Sequence, residues 1–226
     1  MSLQAIVFDF DGVIADSEPL HFRGYRDALA ETGIALTEAD YYAHYLGFDD
    51  AGAFEAIGRR HGAGWNGARI KELIARKAVR LEELERDVSV LFPGAADAIR
   101  RASAAVPIAI ASGARGEEIR RVLIREQLIG CFTAIVAAED TAVSKPAPDP
   151  YLRALALLGP ACGNRLHPSQ CVAIEDSQWG LESAAAAGLR TVAVTNTYAA
   201  HELTADATIR SLEGMDVELL ASLCSG

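Results

Sequence analysis

The stretch Ala5-Ile6-Val7-Phe8-Asp9-Phe10-Asp11-Gly12 decides the fold. Its first four residues form an apolar run of strand length with β-branched side chains, which predicts a buried strand. The run breaks at once into two carboxylates and a glycine. In a parallel sheet covered by helices, functional groups gather beyond the carboxyl ends of the strands, which is where Asp9 and Asp11 fall.

Working outward, strand and helix patterns alternate after Leu91. Pro93-Gly94 turns the chain into a helix over 95–103. Strands over 107–111, 134–137, 171–174 and 191–194 are separated by helices over 116–127, 149–158 and 179–187, the last stopped by Gly188. A short strand over 207–209 and a helix over 216–223 complete the run. Repeated strand–helix units predict an α/β fold with a parallel sheet covered on both faces.

Between Ser17 and Asp87 the apolar residues instead recur at helical spacing. Ser17 is suited to cap a helix whose first turn holds Glu18 and Pro19. Phe22, Tyr25, Leu29 and Ala30 then share a face, and Gly33 ends the helix. Further helices are expected over 37–45, 50–60 and 68–85. The last is rich in Lys, Arg and Glu and reads as solvated. The domain expectation is therefore a core of residues 1–16 and 89–226 with a helical insertion, 17–88, whose two chain crossings make a hinge.

Composition narrows the function. The 226 residues carry a formal net charge of −10, which disfavours a nucleic-acid partner because polyanion binding needs a basic footprint. Cys131, Cys162, Cys171 and Cys224 form no C-x-x-C pair and read as reduced thiols rather than a zinc site or disulfide framework. Met1-Ser2-Leu3-Gln4 runs straight into the first strand without a basic and apolar leader. No apolar run reaches the ~18 residues of a membrane span. The expectation is a cytoplasmic protein with no membrane partner, its core and mobile insertion being consistent with a monomer.

Polar groups follow four of the strands: Asp9 and Asp11 after the first, Ser112 after 107–111, Lys145 in the loop after 134–137, and Glu175 with Asp176 after 171–174. Carboxylates for a hard cation, a lysine, a hydroxyl followed by Gly113 at a helix start, and a carboxylate free to attack are the parts of phosphoryl transfer. Asp9 suits a nucleophile. Asp11 suits a general acid and base once its surroundings lift it above the ordinary aspartate value of about 3.9. Each element has an ordinary structural alternative: a turn pair, an N-cap serine, a solvated lysine, a capping cluster. Their joint occurrence in this order argues for a site.

The motifs DFDGV at 9–13, ASG at 111–113, SKPAPDPY at 144–151 and IEDS at 174–177 resemble the four ordered motifs of the haloacid dehalogenase-like superfamily. DSEPLHFR at 16–23 and EDSQWGLESAAAAG at 175–188 resemble its β-phosphoglucomutase-like and phosphoglycolate phosphatase-like branch. The resemblance implies a Rossmann-like core with a mobile helical cap, and an enzyme acting on a small phosphorylated metabolite. It implies Mg²⁺ held by the Asp9 carboxylate, the Asp11 backbone carbonyl and Asp176, with Glu175 as a further acidic group at the metal. Ser112, Gly113 and Lys145 would hold the phosphate, and His21 at the cap entrance would couple closure to proton transfer at Asp11. The mutase branch carries a cap arginine for a second phosphate. The matching stretch, Gly47-Phe48-Asp49-Asp50, places Asp50 there, and an acidic residue would repel that phosphate. A phosphatase is therefore the expected activity, with a phosphomutase as the alternative. A dehalogenase, which lacks the second aspartate, and a non-catalytic relative are disfavoured.

Overall fold

The structure, a computed structural model, describes residues 3–46, 48–86 and 89–224. Gly47, the first residue of the stretch matched to the mutase arginine, lies outside them, as do Asp87 and Val88 at the expected end of the insertion. The chain divides into two compact units, Ser17–Ser89 and Met1–Asp16 with Val90–Gly226.

The smaller unit is helical, with α1 (Glu18–Leu29), α2 (Glu38–His44), α3 (Asp50–Arg60) and α4 (Gly67–Arg86). Thr37 caps α2 by accepting from Asp40 N–H at 3.1 Å, and Asp49 caps α3 by accepting from Gly52 N–H at 2.7 Å. The unit has its own core, including Leu29, Phe54, Ile57 and Leu73, each worth about 1.5–3 kcal/mol on burial. Ser17 does not cap α1 through its side chain. Its backbone is already helical (φ −85°, ψ −21°), so the hydroxyl is not aimed at the first free N–H groups. Ala30 leaves the expected apolar face and is exposed, because the helix tightens into a 3₁₀ turn there; Ala28 is buried instead.

A larger correction concerns α4. It is not solvated throughout: Lys77 is 2% exposed. It lies seven residues after Ile70 and four after Leu73, on the same buried stripe.

The larger unit holds β1 (Ala5–Phe8), α5 (Ala95–Ala105), β2 (Ile108–Ala111), α6 (Gly116–Arg125), β3 (Ala134–Val136), α7 (Asp149–Leu158), β4 (Cys171–Glu175), α8 (Gln178–Ala186), β5 (Arg190–Val194), β6 (Ala207–Ile209) and α9 (Val217–Leu223). The strands form one parallel sheet in the order β3-β2-β1-β4-β5-β6, a Rossmann-like arrangement. β1 is central, with Phe8 opposite Ile110 of β2 and Ile174 of β4. Side chains alternate between faces. Ala5, Val7, Ala109, Ala111 and Ala173 pack with Tyr151, Ala154 and Leu158 of α7 and Ala184 of α8, while Ile6, Phe8, Ile108 and Ile110 turn the other way and are also buried. The small alanines let the helices sit close to the sheet where the site forms. Among the described residues no helix is long and apolar enough to cross a membrane.

Candidate active site

β1 stops at Phe8, and the Asp9 N–H donates to the Ile174 carbonyl at 2.9 Å, extending the ladder by one step. Asp9, Glu175 and Asp176 thus meet where the two central strands end side by side. One carboxylate oxygen from each lies within 4.8 Å of the others, and all three residues are buried. Strand order reverses between these strands, the usual place for ligands in open α/β sheets.

Lys145 enters from the loop between β3 and α7. Its Nζ donates to Asp9 Oδ1 at 2.7 Å and to Glu175 Oε1 at 2.5 Å. The following peptide, Lys145–Pro146, is cis, and Ser183 of α8 fastens the loop by donating to the Ala147 carbonyl at 2.5 Å. Burial would depress the Lys145 ammonium, but Asp9 and Glu175 outweigh it and lift it above its ordinary value, so it stays charged.

Glu175 is fully engaged. Oε1 accepts from Lys145 and from the Tyr151 hydroxyl at 2.8 Å; Oε2 accepts from the N–H groups of Asp176 and Ser177 and from the Ser177 hydroxyl. A Cβ on Gly180 would lie 2.0 Å from the Glu175 carboxyl carbon, so only glycine lets α8 start this close.

The balance of charge is the telling property. Three carboxylates face one ammonium. Burial raises Asp9 to about 7, with Lys145 opposing the rise and Glu175 and Asp11 adding to it. Burial, then the charges of Asp9 and Glu175, raises Asp176 to about 7 against a hydrogen bond from Thr197 and the pull of Lys145. A hard divalent cation with oxygen ligands fits this donor set, since it would relieve the repulsion that lifts both carboxyls. Among the described residues no histidine or cysteine joins the cluster, so zinc fits poorly.

The other expected residues are placed as follows. Asp11 is half-buried in the turn after β1, outside the carboxylate cluster but close enough to Asp9 to raise it. Ser112 is buried just past the end of β2, with its Oγ accepting from Ala114 N–H at 3.0 Å. Gly113 faces open space, where an added Cβ would meet nothing within 4 Å. Ser112-Gly113-Ala114 does not open the helix directly. α6 starts at Gly116, whose N–H is already taken up by the Glu139 carboxylate at 3.1 Å and 3.3 Å. His21 belongs to the helical unit, with Nδ1 3.0 Å from Lys77 Nζ. An ammonium only donates, so Nδ1 accepts and the ring proton sits on Nε2.

Residues 3–188 match the family described as haloacid dehalogenase-like hydrolase. The chain belongs to this family. It is similar to the protein CbbY of Rhodobacter capsulatus, at 34% identity over 208 residues covering 88% of each chain. It is also similar to hexitol phosphatase B of Escherichia coli K12, at 30% identity over 191 residues, covering 84% of this chain and 82% of that one. Among solved structures, CbbY from Rhodobacter sphaeroides in complex with xylulose-(1,5)bisphosphate superposes with a TM-score of 0.76 at 28% identity, covering 95% of this chain and 96% of that one. The haloacid dehalogenase-like membership makes the chain a hydrolytic enzyme with phosphatases among its relatives.

Several members of the site were not singled out from the sequence. Tyr151 ends the SKPAPDPY motif and is fully buried against Glu175. Asn196 and Thr197 lie two and three residues past the end of β5. The strand-end rule that drew attention to Asp9, Ser112 and Asp176 applies to that strand equally and could have found them.

Proposed function

We propose that this chain is a Mg²⁺-dependent phosphomonoester hydrolase acting on a small phosphorylated sugar or polyol through an aspartyl-phosphate intermediate. One observation carries the reading: Asp9, Glu175 and Asp176 converge within 4.8 Å of one another with Lys145 bonded to Asp9 and Glu175. The similarity to a hexitol phosphatase and to a CbbY solved with a sugar bisphosphate supports the substrate class.

Asp9, Asp176 and the Asp11 carbonyl would hold the cation, with Glu175 adjoining. Bound Mg²⁺ supplies charge neutralisation for the attacking carboxylate and the phosphoryl oxygens. Ser112 and the Gly113 backbone bind those oxygens, and Lys145 offsets charge shared between Asp9 and the phosphoryl group. An Asp9 oxygen attacks phosphorus while the ester bond breaks, and Asp11 protonates the departing alkoxide. Asp11 then takes a proton from water, which attacks the same phosphorus and releases inorganic phosphate and free Asp9. His21 is the residue of the helical unit assigned to assist Asp11; His21→Ala would lower turnover and leave Mg²⁺ binding unchanged.

Asp50 favours a phosphatase over a phosphomutase. It bonds Lys77 and Tyr25, so this position offers no free cation to a second phosphate. The reading also takes the protein as a cytoplasmic monomer. The test is phosphate release from a panel of sugar and polyol phosphates with Mg²⁺. Release is expected, abolished by EDTA and restored by Mg²⁺. Undiminished release in chelator would remove the metal from the mechanism. Conversion of β-glucose 1-phosphate into glucose 6-phosphate without free phosphate would make the enzyme a mutase.

A further inference from the structure

The turn after β5 reaches back to both halves of the acidic centre. Asn196 Nδ2 donates to the Gly12 carbonyl at 2.8 Å across 184 positions of sequence. The next residue, Thr197, brings its hydroxyl to the Asp176 carboxylate, both packing against the bare Gly12 backbone. Gly12 is the common ground. Its φ is +78°, and a Cβ built on it would lie 1.9 Å from Asp176 Oδ2 and 2.9 Å from Thr197 Oγ1. The missing side chain is thus the space into which the carboxylate and the hydroxyl are packed.

This arrangement answers a mechanical problem. Asp176 follows the last residue of β4, and one of its carboxylate oxygens lies within 4.8 Å of oxygens of Asp9 and Glu175, where like charges repel. Left to itself, it would rotate away from the like charges. The loop carrying Asp9, Asp11 and Gly12 has a similar freedom beyond the end of β1. It is tied internally by Gly12 N–H to the Ala15 carbonyl at 2.9 Å and by the Ile14 and Ala15 N–H groups to the Phe10 carbonyl. Those bonds hold the loop to itself; the Asn196 amide joins it to the turn after β5.

We propose that Asn196 and Thr197 are positioning residues for the cation site, Asn196 fixing the Gly12 carbonyl and so the Asp9–Gly12 loop, and Thr197 fixing the carboxylate of Asp176. Neither belongs to the carboxylate cluster itself. They act as outer partners that orient the ligands, a role whose loss typically costs 10- to 100-fold in metal affinity. Because Thr197 is exposed and Asn196 half-buried, the expected effect lies at the lower end, about tenfold for each.

The inference rests on the proposed Mg²⁺ site, and the experiment separates the two. Mg²⁺ is titrated calorimetrically into wild type, Thr197→Val, Thr197→Ser and Asn196→Ala, with circular dichroism and melting of each metal-free protein run alongside. Thr197→Val keeps the shape and removes the hydroxyl; it should bind Mg²⁺ about tenfold more weakly while metal-free melting stays close to wild type. Thr197→Ser restores the hydroxyl and should recover most of the affinity. Asn196→Ala should weaken Mg²⁺ binding to a similar degree. If wild type takes up Mg²⁺ and Thr197→Val and Asn196→Ala match it, the positioning role is wrong and the metal site stands. If Thr197→Ser is as weak as Thr197→Val, the hydroxyl is not the cause and the inference fails. If wild type takes up no Mg²⁺, the metal reading fails and this inference falls with it.

Discussion

Lys145 in the larger unit and Lys77 in the helical unit are both withdrawn from water, with 9% and 2% of their side chains exposed, yet their surroundings differ in charge. Lys77 pairs with one carboxylate, Asp50, and lies 3.0 Å from His21 Nδ1 and 4.2 Å from the centre of the Tyr25 ring. The Tyr25 hydroxyl donates to the same Asp50 oxygen at 2.7 Å. Burial pushes Asp50 up, but Lys77 and the Tyr25 hydroxyl outweigh it and hold the carboxyl below its ordinary value. That cluster is balanced. Lys145 instead faces Asp9 and Glu175 with Asp176 beside them, and Asp9 and Asp176 are both pushed up to about 7. A buried lysine is therefore no marker of a site by itself. The crowded carboxylates around it are the better pointer, because strongly perturbed carboxyls cluster at functional sites.

The largest break of this contrast comes from Asp9→Asn. It should lower turnover by at least about a thousandfold, since it removes the nucleophile. It should also leave metal-free melting at pH 8 equal to or above wild type, because one member of a repelling set is neutralised. Phosphate-release assays and calorimetry read both. Residual turnover near wild type would end the covalent mechanism.

Lys145→Met removes the ammonium from the crowded centre and should destabilise the fold by about 3–5 kcal/mol in urea titration. Lys77→Met should cost less, about 1–3 kcal/mol, because Asp50 is 35% exposed and can turn to water. Equal costs would mean that the two lysines are held alike and that charge balance does not separate the regions.

A further contrast is the dependence on pH, and its sign differs between the units. Asp9 and Asp176 titrate near 7 when folded and near 3.8 otherwise, so the folded protein holds their protons more tightly. Metal-free stability should decline as pH rises from about 4 through about 7, and Mg²⁺ should recover most of the loss. Asp50 runs the other way: its contribution is present above the ordinary 3.8 and fades as pH falls through its lower folded value. Calorimetry across pH 3–8, with hydrogen exchange resolved for each unit, would sharpen the contrast. Metal-free stability that rose across the 4–7 window would contradict the charge excess in the core.

Much of the fold was legible in the sequence because the central strand β1 is a short apolar run bounded by polar residues, Gln4 before it and Asp9 after it. The strand over Ala5–Phe8, the helix over Asp149–Leu158 and the strand over Ala207–Ile209 lie at the bounds read from pattern. Strand ends also pointed to Asp9, Lys145, Glu175 and Asp176. Lys77 was misread because charge in a helix usually marks the wet face. Its spacing from Ile70 and Leu73 carried the opposite signal.

By itself, then, the sequence determined the alternation of strands and helices and the positions where polar groups leave the sheet, since periodicity and its interruptions are local properties. Only the tertiary structure decided which of those groups meet. Lys145 reaches Asp9 across 136 positions, Tyr151 reaches Glu175 across 24, and Asn196 reaches Gly12 across 184. Those partnerships depend on strand order and register, and on how closely Gly180 and Gly12 let neighbouring groups approach. None of these leaves a periodic trace in the chain.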